Sequence, residues 1–130
     1  MTNNLQETLF NKYPKLFREK DLPPSQTCMC WGIECGDGWF NIIDVLCEEI
    51  NRHCEGNDMD VIITQVKEKY GGLRFYYNGG DNTVDDLVSF AESLSERTCE
   101  ICGSSGKLGQ TNGWYRTTCE GCNEKRKNIF

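Results

Sequence analysis

Two pairs of cysteines with the same spacing carry the clearest chemical signal in this sequence. Cys99 and Cys102 form one Cys-x-x-Cys hook, and Cys119 and Cys122 form a second hook after sixteen intervening residues. Zn²⁺ prefers four soft ligands in a tetrahedron, and a Cys-x-x-Cys turn presents two thiolates from one tight loop whose amides also donate to sulfur. The spacing therefore predicts one structural zinc ion bound by these four cysteines.

A zinc ion with four thiolate ligands has no open coordination position, which argues against hydrolytic zinc chemistry. We expect the metal instead to hold together a segment that cannot bury enough apolar surface alone. Between the hooks, a short hairpin is predicted around Thr111-Asn112-Gly113, and residues 123–130 are predicted to continue as a short helix. The last two ligands would then lie at a helix N-terminus, as in treble-clef sites.

Five further cysteines lie outside the hooks: Cys28, Cys30, Cys35, Cys47 and Cys54. One interpretation is a second metal site formed by Cys28, Cys30 and Cys35 together with either His53 or Cys54. The alternative is that these thiols are small buried hydrophobes and that His53 caps a helix end. The odd total of nine cysteines excludes complete disulfide pairing within one chain, and a reducing cytoplasm favours metal ligands or free thiols.

The sequence offers no motif that predicts an enzyme. It contains neither a phosphate-binding Gly-x-x-x-x-Gly-Lys-Ser/Thr loop, nor a Gly-x-Gly-x-x-Gly turn, nor a Gly-x-Ser-x-Gly nucleophile. The adjacent carboxylates Glu48-Glu49 and Asp85-Asp86 would point about 100° apart on a helix, so we expect them to be solvated rather than an acid–base pair. We therefore expect a protein that is not an enzyme.

The charge is unevenly distributed along the chain. Residues 1–98 carry nine basic and seventeen acidic side chains, a balance of −8, whereas residues 99–130 carry five basic and three acidic ones, a balance of +2. An acidic body disfavours non-specific binding to a phosphate backbone, because such binding depends on Lys and Arg releasing counterions. This acidity suits a basic partner, although it also simply keeps a protein in solution.

Two groups of basic and aromatic side chains are candidate contacts for nucleic acid or another partner. The first group belongs to the zinc-binding segment and comprises Arg116, Lys125, Arg126 and Lys127. The second group lies on a predicted hairpin, where Arg74 and Tyr76, with Lys67 and Lys69 opposite, could stack a base or a nucleotide. A solvated terminus and ordinary cross-strand pairing are the simpler interpretations.

Periodicity predicts the elements that must position these side chains. Residues 5–13 form a helix that Pro14 ends, and Leu16 and Phe17 then pack back onto the domain. A loop leads to a second helix, with Asp37 as its N-cap, an end near residue 56 and an apolar stripe. The stripe comprises Trp39, Ile43, Leu46, Ile50 and Cys54.

The remaining body is predicted to be a hairpin followed by a helix. Residues 61–69 and 73–77 form its two strands around Gly71-Gly72. A capping box of Thr83 and Asp86 begins the last helix, which reaches about Arg97 with Leu94 on its apolar face. The fold class is thus α+β: a small sheet packed by two to three helices, with a C-terminal zinc-ribbon or treble-clef-like module. Residues 1–98 form the acidic body, and residues 99–130 pack on it as part of one unit.

Three runs of this chain resemble a known group of proteins. They are residues 34–40 (ECGDGWF), residues 66–76 (VKEKYGGLRFY) and the segment 99–122 with Gly113-Trp114. In this order they are similar to small zinc-knuckle proteins encoded by bacteriophages, prophages and other mobile elements. The resemblance implies a context rather than a catalytic residue: small phage accessory proteins commonly bind and inhibit a host protein, including components of restriction and CRISPR immunity.

Residues and resemblance together predict a non-enzymatic accessory protein in the cytoplasm, since the N-terminus shows no secretory signal and no apolar run is long enough for a membrane. Its acidic body would bind the basic, nucleic-acid-binding surface of a host protein and inhibit a defence system. One alternative is a nucleic-acid-binding regulator that uses the basic zinc module. Another is a protein that sequesters a nucleotide.

Overall fold

The computed structural model describes the backbone of residues 1–129 and the side chains of residues 1–125. Within that part of the chain the elements are α1 (Asn3–Lys12), β1 (Ile33–Glu34), α2 (Phe40–Gly56), β2 (Val61–Lys69), β3 (Gly72–Gly79), α3 (Asn82–Ser95), β4 (Lys107–Thr111), β5 (Trp114–Thr118) and α4 (Glu120–Ile129). Single 3₁₀ turns cover Met29–Trp31 and Asp37–Trp39. The architecture is α+β, as predicted. None of these helices is both long and apolar enough to cross a membrane.

The predicted hairpin is the centre of the first sheet, whose strand order is β1-β2-β3. Strands β2 and β3 are antiparallel with Lys69 opposite Gly72, so a two-residue turn, Tyr70-Gly71, joins them. Both turn residues have positive φ, 53° and 83°. This is the backbone of a type I′ turn, whose twist matches that of the strands it connects.

Strand β1 was missed at the sequence level. Ile33 pairs in parallel with Val66 on the free edge of β2. A strand of two residues is too short to show an alternating pattern, so only the tertiary contact reveals it. The predicted anchors Leu16 and Phe17 are confirmed, since they are 2% and 0% exposed and the Ile63 amide donates to the Leu16 carbonyl at 3.0 Å.

Helix α2 buries the apolar stripe that its spacing predicted. No side chain of this stripe is more than 8% exposed: Trp39, Ile43, Leu46, Ile50 and Cys54. Helix α3 packs beside α2 and against β3, so both helices contribute to one core. Complete burial of one large aliphatic or aromatic side chain contributes about 1.5–3 kcal/mol, so this stripe is the main reason that α2 docks.

The predicted helix starts were wrong in both cases. Helix α2 begins at Phe40 after a 3₁₀ turn, and the Asp37 carboxylate accepts a hydrogen bond from the Thr2 amide at 2.7 Å instead of capping α2. Helix α3 begins before Thr83, because Asp81 is its N-cap and accepts from the Val84 amide at 3.2 Å. Asp81 has the extended backbone that an N-cap requires.

Two further details of α3 differ from prediction. The helix ends at Ser95, two residues before Arg97, and Leu94 is 41% exposed rather than part of the buried stripe.

His53, expected to cap the end of α2, has its Nε2 atom 3.0 Å from the Asp81 carboxylate. The contact therefore links the last turn of α2 to the N-terminus of α3.

Candidate metal centre

The four hook cysteines converge on one point. One sulfur from each of Cys99, Cys102, Cys119 and Cys122 lies within 4.8 Å of the others. The Sγ atoms of Cys102 and Cys119 are 3.7 Å apart. A tetrahedral Zn²⁺ with bonds of about 2.3 Å separates its sulfur ligands by about 3.8 Å. The cluster thus has the size and the donor set of a four-coordinate metal site.

The first hook follows the end of α3 and is closed by backbone hydrogen bonds. The Cys99 amide donates to the Ser104 carbonyl at 2.7 Å, and the Gly103 amide donates back to the Cys99 carbonyl at 2.9 Å. Gly103 has a φ of 84°, which a residue with a side chain rarely adopts. This turn brings Cys102 back beside Cys99, so that both sulfurs face the same point.

The second hook lies at the start of a helix, as predicted. Cys119 immediately precedes α4 and Cys122 lies in its first turn, where the Cys122 amide donates to the Cys119 sulfur at 3.4 Å. The predicted hairpin also forms, with β4 and β5 joined by a turn in which Asn112 and Gly113 have positive φ. The hairpin spans the distance between the two hooks.

Neighbouring groups shift the pKa values of three hook thiols, two downward and one upward. The Ser104 hydroxyl, whose Oγ is 3.3 Å from Sγ, and then the Ser104 amide and neighbouring thiols lower the pKa of Cys102 to about 6. Burial raises the pKa of Cys99, but three backbone amides outweigh it and hold that pKa below its usual value. The Cys119 sulfur is the main cause that raises the pKa of Cys122 to about 12. A bound dication stabilises all four thiolates together.

The module formed by residues 99–129, here called the C-terminal module, is attached to the body through the 3₁₀ turn before α2. The Gly38 amide donates to the Glu100 carbonyl at 2.8 Å, and the Gly36 amide donates to the Glu100 carboxylate at 2.9 Å. The Trp39 indole donates to the Thr98 carbonyl at 2.8 Å. A Cβ atom on Gly38 would lie 2.1 Å from the Cys99 carbonyl oxygen. Only glycine permits this approach.

A second attachment lies at the turn between β2 and β3. The buried Thr117 hydroxyl donates to the Gly71 carbonyl at 2.7 Å. A Cβ atom on Gly71 would lie 2.5 Å from the Leu108 side chain. The runs 34–40 and 66–76, which drew attention in the sequence, therefore include the glycines that allow the C-terminal module to dock. Sequence reasoning missed this role, although the Gly-x-Gly spacing at positions 36 and 38 was a signal for it.

The five remaining cysteines do not come together as the second cluster that one interpretation of the sequence required. Among the described residues, the hook cysteines are the only group of three or more metal-ligating side chains whose donor atoms lie together. Cys28 is exposed and Cys30 half-buried, whereas Cys35, Cys47 and Cys54 are buried in the core. Burial raises the pKa of Cys35 to about 12, as expected for an inert structural thiol.

The candidate contact residues of the hairpin lie on β2 and β3. Arg74 lies opposite Lys67 and Tyr76 opposite Gln65, while Lys69 lies at the turn opposite Gly72. The Lys69 ammonium lies 5.5 Å from the centre of the Tyr70 ring. Because side chains alternate between the two faces of a strand, the four candidate side chains lie on the same face of the hairpin, as predicted.

The basic residues of the C-terminal module lie on different elements. Arg116 is on β5 and Lys125 is on α4, and both are exposed. The side chains of Arg126 and Lys127 lie outside the described residues.

Comparison of the chain with protein-family models, curated proteins and solved structures finds no match to any of them.

Proposed function

We propose that this chain is a non-enzymatic binding protein that recognises a basic protein partner, with one structural Zn²⁺ in a treble-clef-like C-terminal module. In this proposal it acts as phage-type accessory proteins do, by occupying the nucleic-acid-binding surface of a host protein, including a component of a host defence system. The metal contributes shape rather than chemistry, since four sulfur donors leave no open position for a substrate.

The surface of α3 is the observation that carries the proposal. The helix has the acidic side chains Asp85, Asp86 and Glu92 and no basic one. Phe90 is 71% exposed on it, and Leu94 is 41% exposed. Asp86, Phe90 and Leu94 are spaced four residues apart, so they form one row, here called the α3 face. An exposed aromatic ring next to the Asp86 carboxylate suits a partner surface that is basic and partly apolar.

Ion pairs within the body leave this acidity in place. Two basic side chains pair with carboxylates distant in sequence, Lys12 with Asp44 at 2.7 Å and Arg18 with Asp60 at 2.5 Å. Within the described residues, no such pair involves Asp86. The α3 face therefore keeps its negative potential, which both steers a basic partner toward it and repels nucleic acid.

The test is affinity capture from a bacterial lysate by the zinc-loaded chain, with the bound proteins eluted by increasing salt. We expect a basic protein to elute between about 0.05 and 0.5 M salt, because exposed charge pairs weaken as the Debye length shortens. Combined Asp86→Asn and Phe90→Ala substitutions should abolish capture. Val45→Ala is the matched control, since Val45 is a 55% exposed apolar residue on α2.

Capture of no protein, or capture indifferent to salt and to the α3 substitutions, would contradict this function. A gel shift at moderate salt tests the nucleic-acid-binding alternative. A shift that a triple alanine substitution of Lys125, Arg126 and Lys127 removes would replace the proposal by a nucleic-acid-binding regulator.

A further inference from the structure

A groove lies at the seam between the body and the C-terminal module. It has a volume of about 390 Å³, within the range of about 300–1,000 Å³ that is common for ligand pockets. Its walls come from the β2–β3 turn, the first hook and β5. The side chains that matter for its chemistry are Glu68, Tyr70, Glu100, Trp114, Tyr115 and Arg116.

Three aromatic rings line the groove and are open to solvent. Trp114 is 70% exposed, Tyr70 67% and Tyr115 43%. The rings of Tyr70 and Tyr115 meet edge to face, with centroids 6.3 Å apart and an angle of 88° between their planes. Exposed aromatic rings that stand at right angles form two walls of a cage, the arrangement that proteins use to surround a cationic group.

Two carboxylates also line the groove. The Glu68 carboxylate accepts from the Gly71 amide at 2.7 Å, and the Glu100 carboxylate accepts from the Gly36 amide at 2.9 Å. Each of these bonds uses one oxygen, and within the described residues the second oxygen of each carboxylate makes no hydrogen bond. The backbone thus orients both carboxylates while leaving acceptors for a ligand.

One cation of the chain itself, Arg116, also lines the groove. The lining thus holds two carboxylates and one guanidinium, and the Lys69 ammonium lies 5.5 Å from the centre of the Tyr70 ring at its edge. The unpaired carboxylate oxygens and the exposed rings of Trp114 and Tyr115 both attract a cation. A guanidinium suits both at once, since its planar fork binds carboxylate oxygens and its face stacks on an aromatic ring.

We propose that this groove binds an arginine side chain presented by a basic peptide segment of a partner protein. The proposal rests on the proposed function, because it specifies where a basic partner places one of its side chains. The groove lies on the module seam and the α3 face lies on a helix of the body, so the two surfaces can be tested separately.

The experiment measures binding of a fluorescein-labelled octapeptide of alternating glycine and arginine to the full zinc-loaded chain by fluorescence anisotropy. Trp114→Ala should weaken the Kd roughly tenfold, through loss of the cation–π wall. Glu68→Gln should weaken it about fivefold, since the amide oxygen still accepts from Gly71 while the charge is lost. Arg116→Ala should instead tighten binding by about threefold, because it removes a competing cation.

Matched controls are available elsewhere in the chain. Trp31→Ala removes an equally exposed tryptophan, 63% exposed, that does not line the groove. Glu124→Gln removes one carboxylate of the C-terminal module outside the groove. Both should keep the wild-type Kd. An octapeptide with lysine in place of arginine should bind more weakly, and one with glutamate should not bind. Metal content should stay at one zinc per chain in every variant.

The outcomes separate the two proposals. No binding of the arginine octapeptide by the wild-type chain, or equal binding by the Trp114→Ala and Glu68→Gln variants, overturns the groove. In that case lysate capture that depends on Asp86 and Phe90 still supports the proposed function. Conversely, octapeptide binding with the predicted variant pattern, together with no captured basic protein, supports the groove and contradicts the proposed function. Weaker binding by Arg116→Ala also contradicts the groove.

Discussion

Replacing Gly38 by alanine tests the docking of the C-terminal module most directly. The added Cβ would lie 2.1 Å from the Cys99 carbonyl oxygen and 2.6 Å from the Glu100 carbonyl carbon. Both are backbone atoms, so no side-chain rotation relieves the overlap. The contact is also next to a hook cysteine, and a shift of the Cys99 backbone moves a sulfur of the metal site.

The size of the destabilisation follows from the two backbone segments that must move apart, at Gly38 and at Cys99-Glu100. Forcing an extra methyl group into a packed site costs about 1–3 kcal/mol. Separation also stretches the hydrogen bond from the Gly38 amide to the Glu100 carbonyl, now 2.8 Å, and a bond of this kind contributes about 1 kcal/mol. We therefore expect Gly38→Ala to lower the free energy of unfolding by about 2–4 kcal/mol and Tm by roughly 7–15 °C.

Thermal unfolding followed by circular dichroism measures the loss of stability. Transfer of zinc to a colorimetric chelator measures the rate of zinc release. Zinc should leave Gly38→Ala faster than the wild-type chain, because the first hook is no longer held by the body. Gly121→Ala is the control: it lies in α4 with nothing within 4 Å of its Cβ position, so stability should be unchanged or slightly higher. A Gly38→Ala chain with wild-type Tm and wild-type zinc release would refute this account of docking.

Other substitutions test the metal centre and the contact between α2 and α3. Cys99→Ser should lose the single bound zinc and the fold of the C-terminal module together, as measured by mass-spectrometric metal content and two-dimensional NMR; a metal-free chain with the module intact would disprove the site. The hydrogen bond with His53 is the main cause of the lowered pKa of Asp81. The Asp81 carboxylate therefore stabilises the fold fully above its unfolded pKa of about 3.9. This stabilisation is lost as the pH falls through the lower pKa of the folded state. In acid titrations followed by circular dichroism, Asp81→Asn should therefore flatten the decline in stability below pH of about 4, and an unchanged acid limb would show that the contact contributes nothing.

Much of the local structure could be predicted from spacing alone. The α2 stripe, the hairpin of β2 and β3 and the hairpin between the hooks all follow from patterns within about twenty residues. The N-caps of the helices were harder to predict, because several polar residues compete for each helix start and backbone geometry decides between them. Asp81 lies directly after Gly79-Gly80, whose positive φ values set the direction of entry into α3, and this moved the cap two residues before Thr83.

The four candidate metal ligands belong to what the sequence determined by itself, since two Cys-x-x-Cys hooks specify donor type, number and spacing without reference to the rest of the chain. Only the tertiary structure decided which groups surround those ligands and how the C-terminal module attaches to the body. The bond from the Gly36 amide to the Glu100 carboxylate joins residues 64 positions apart, and no local pattern encodes such a contact. The same long-range packing brings Glu68 and Tyr70 beside Trp114, because the β2–β3 turn and the C-terminal module approach each other through glycines that leave no side chain between them.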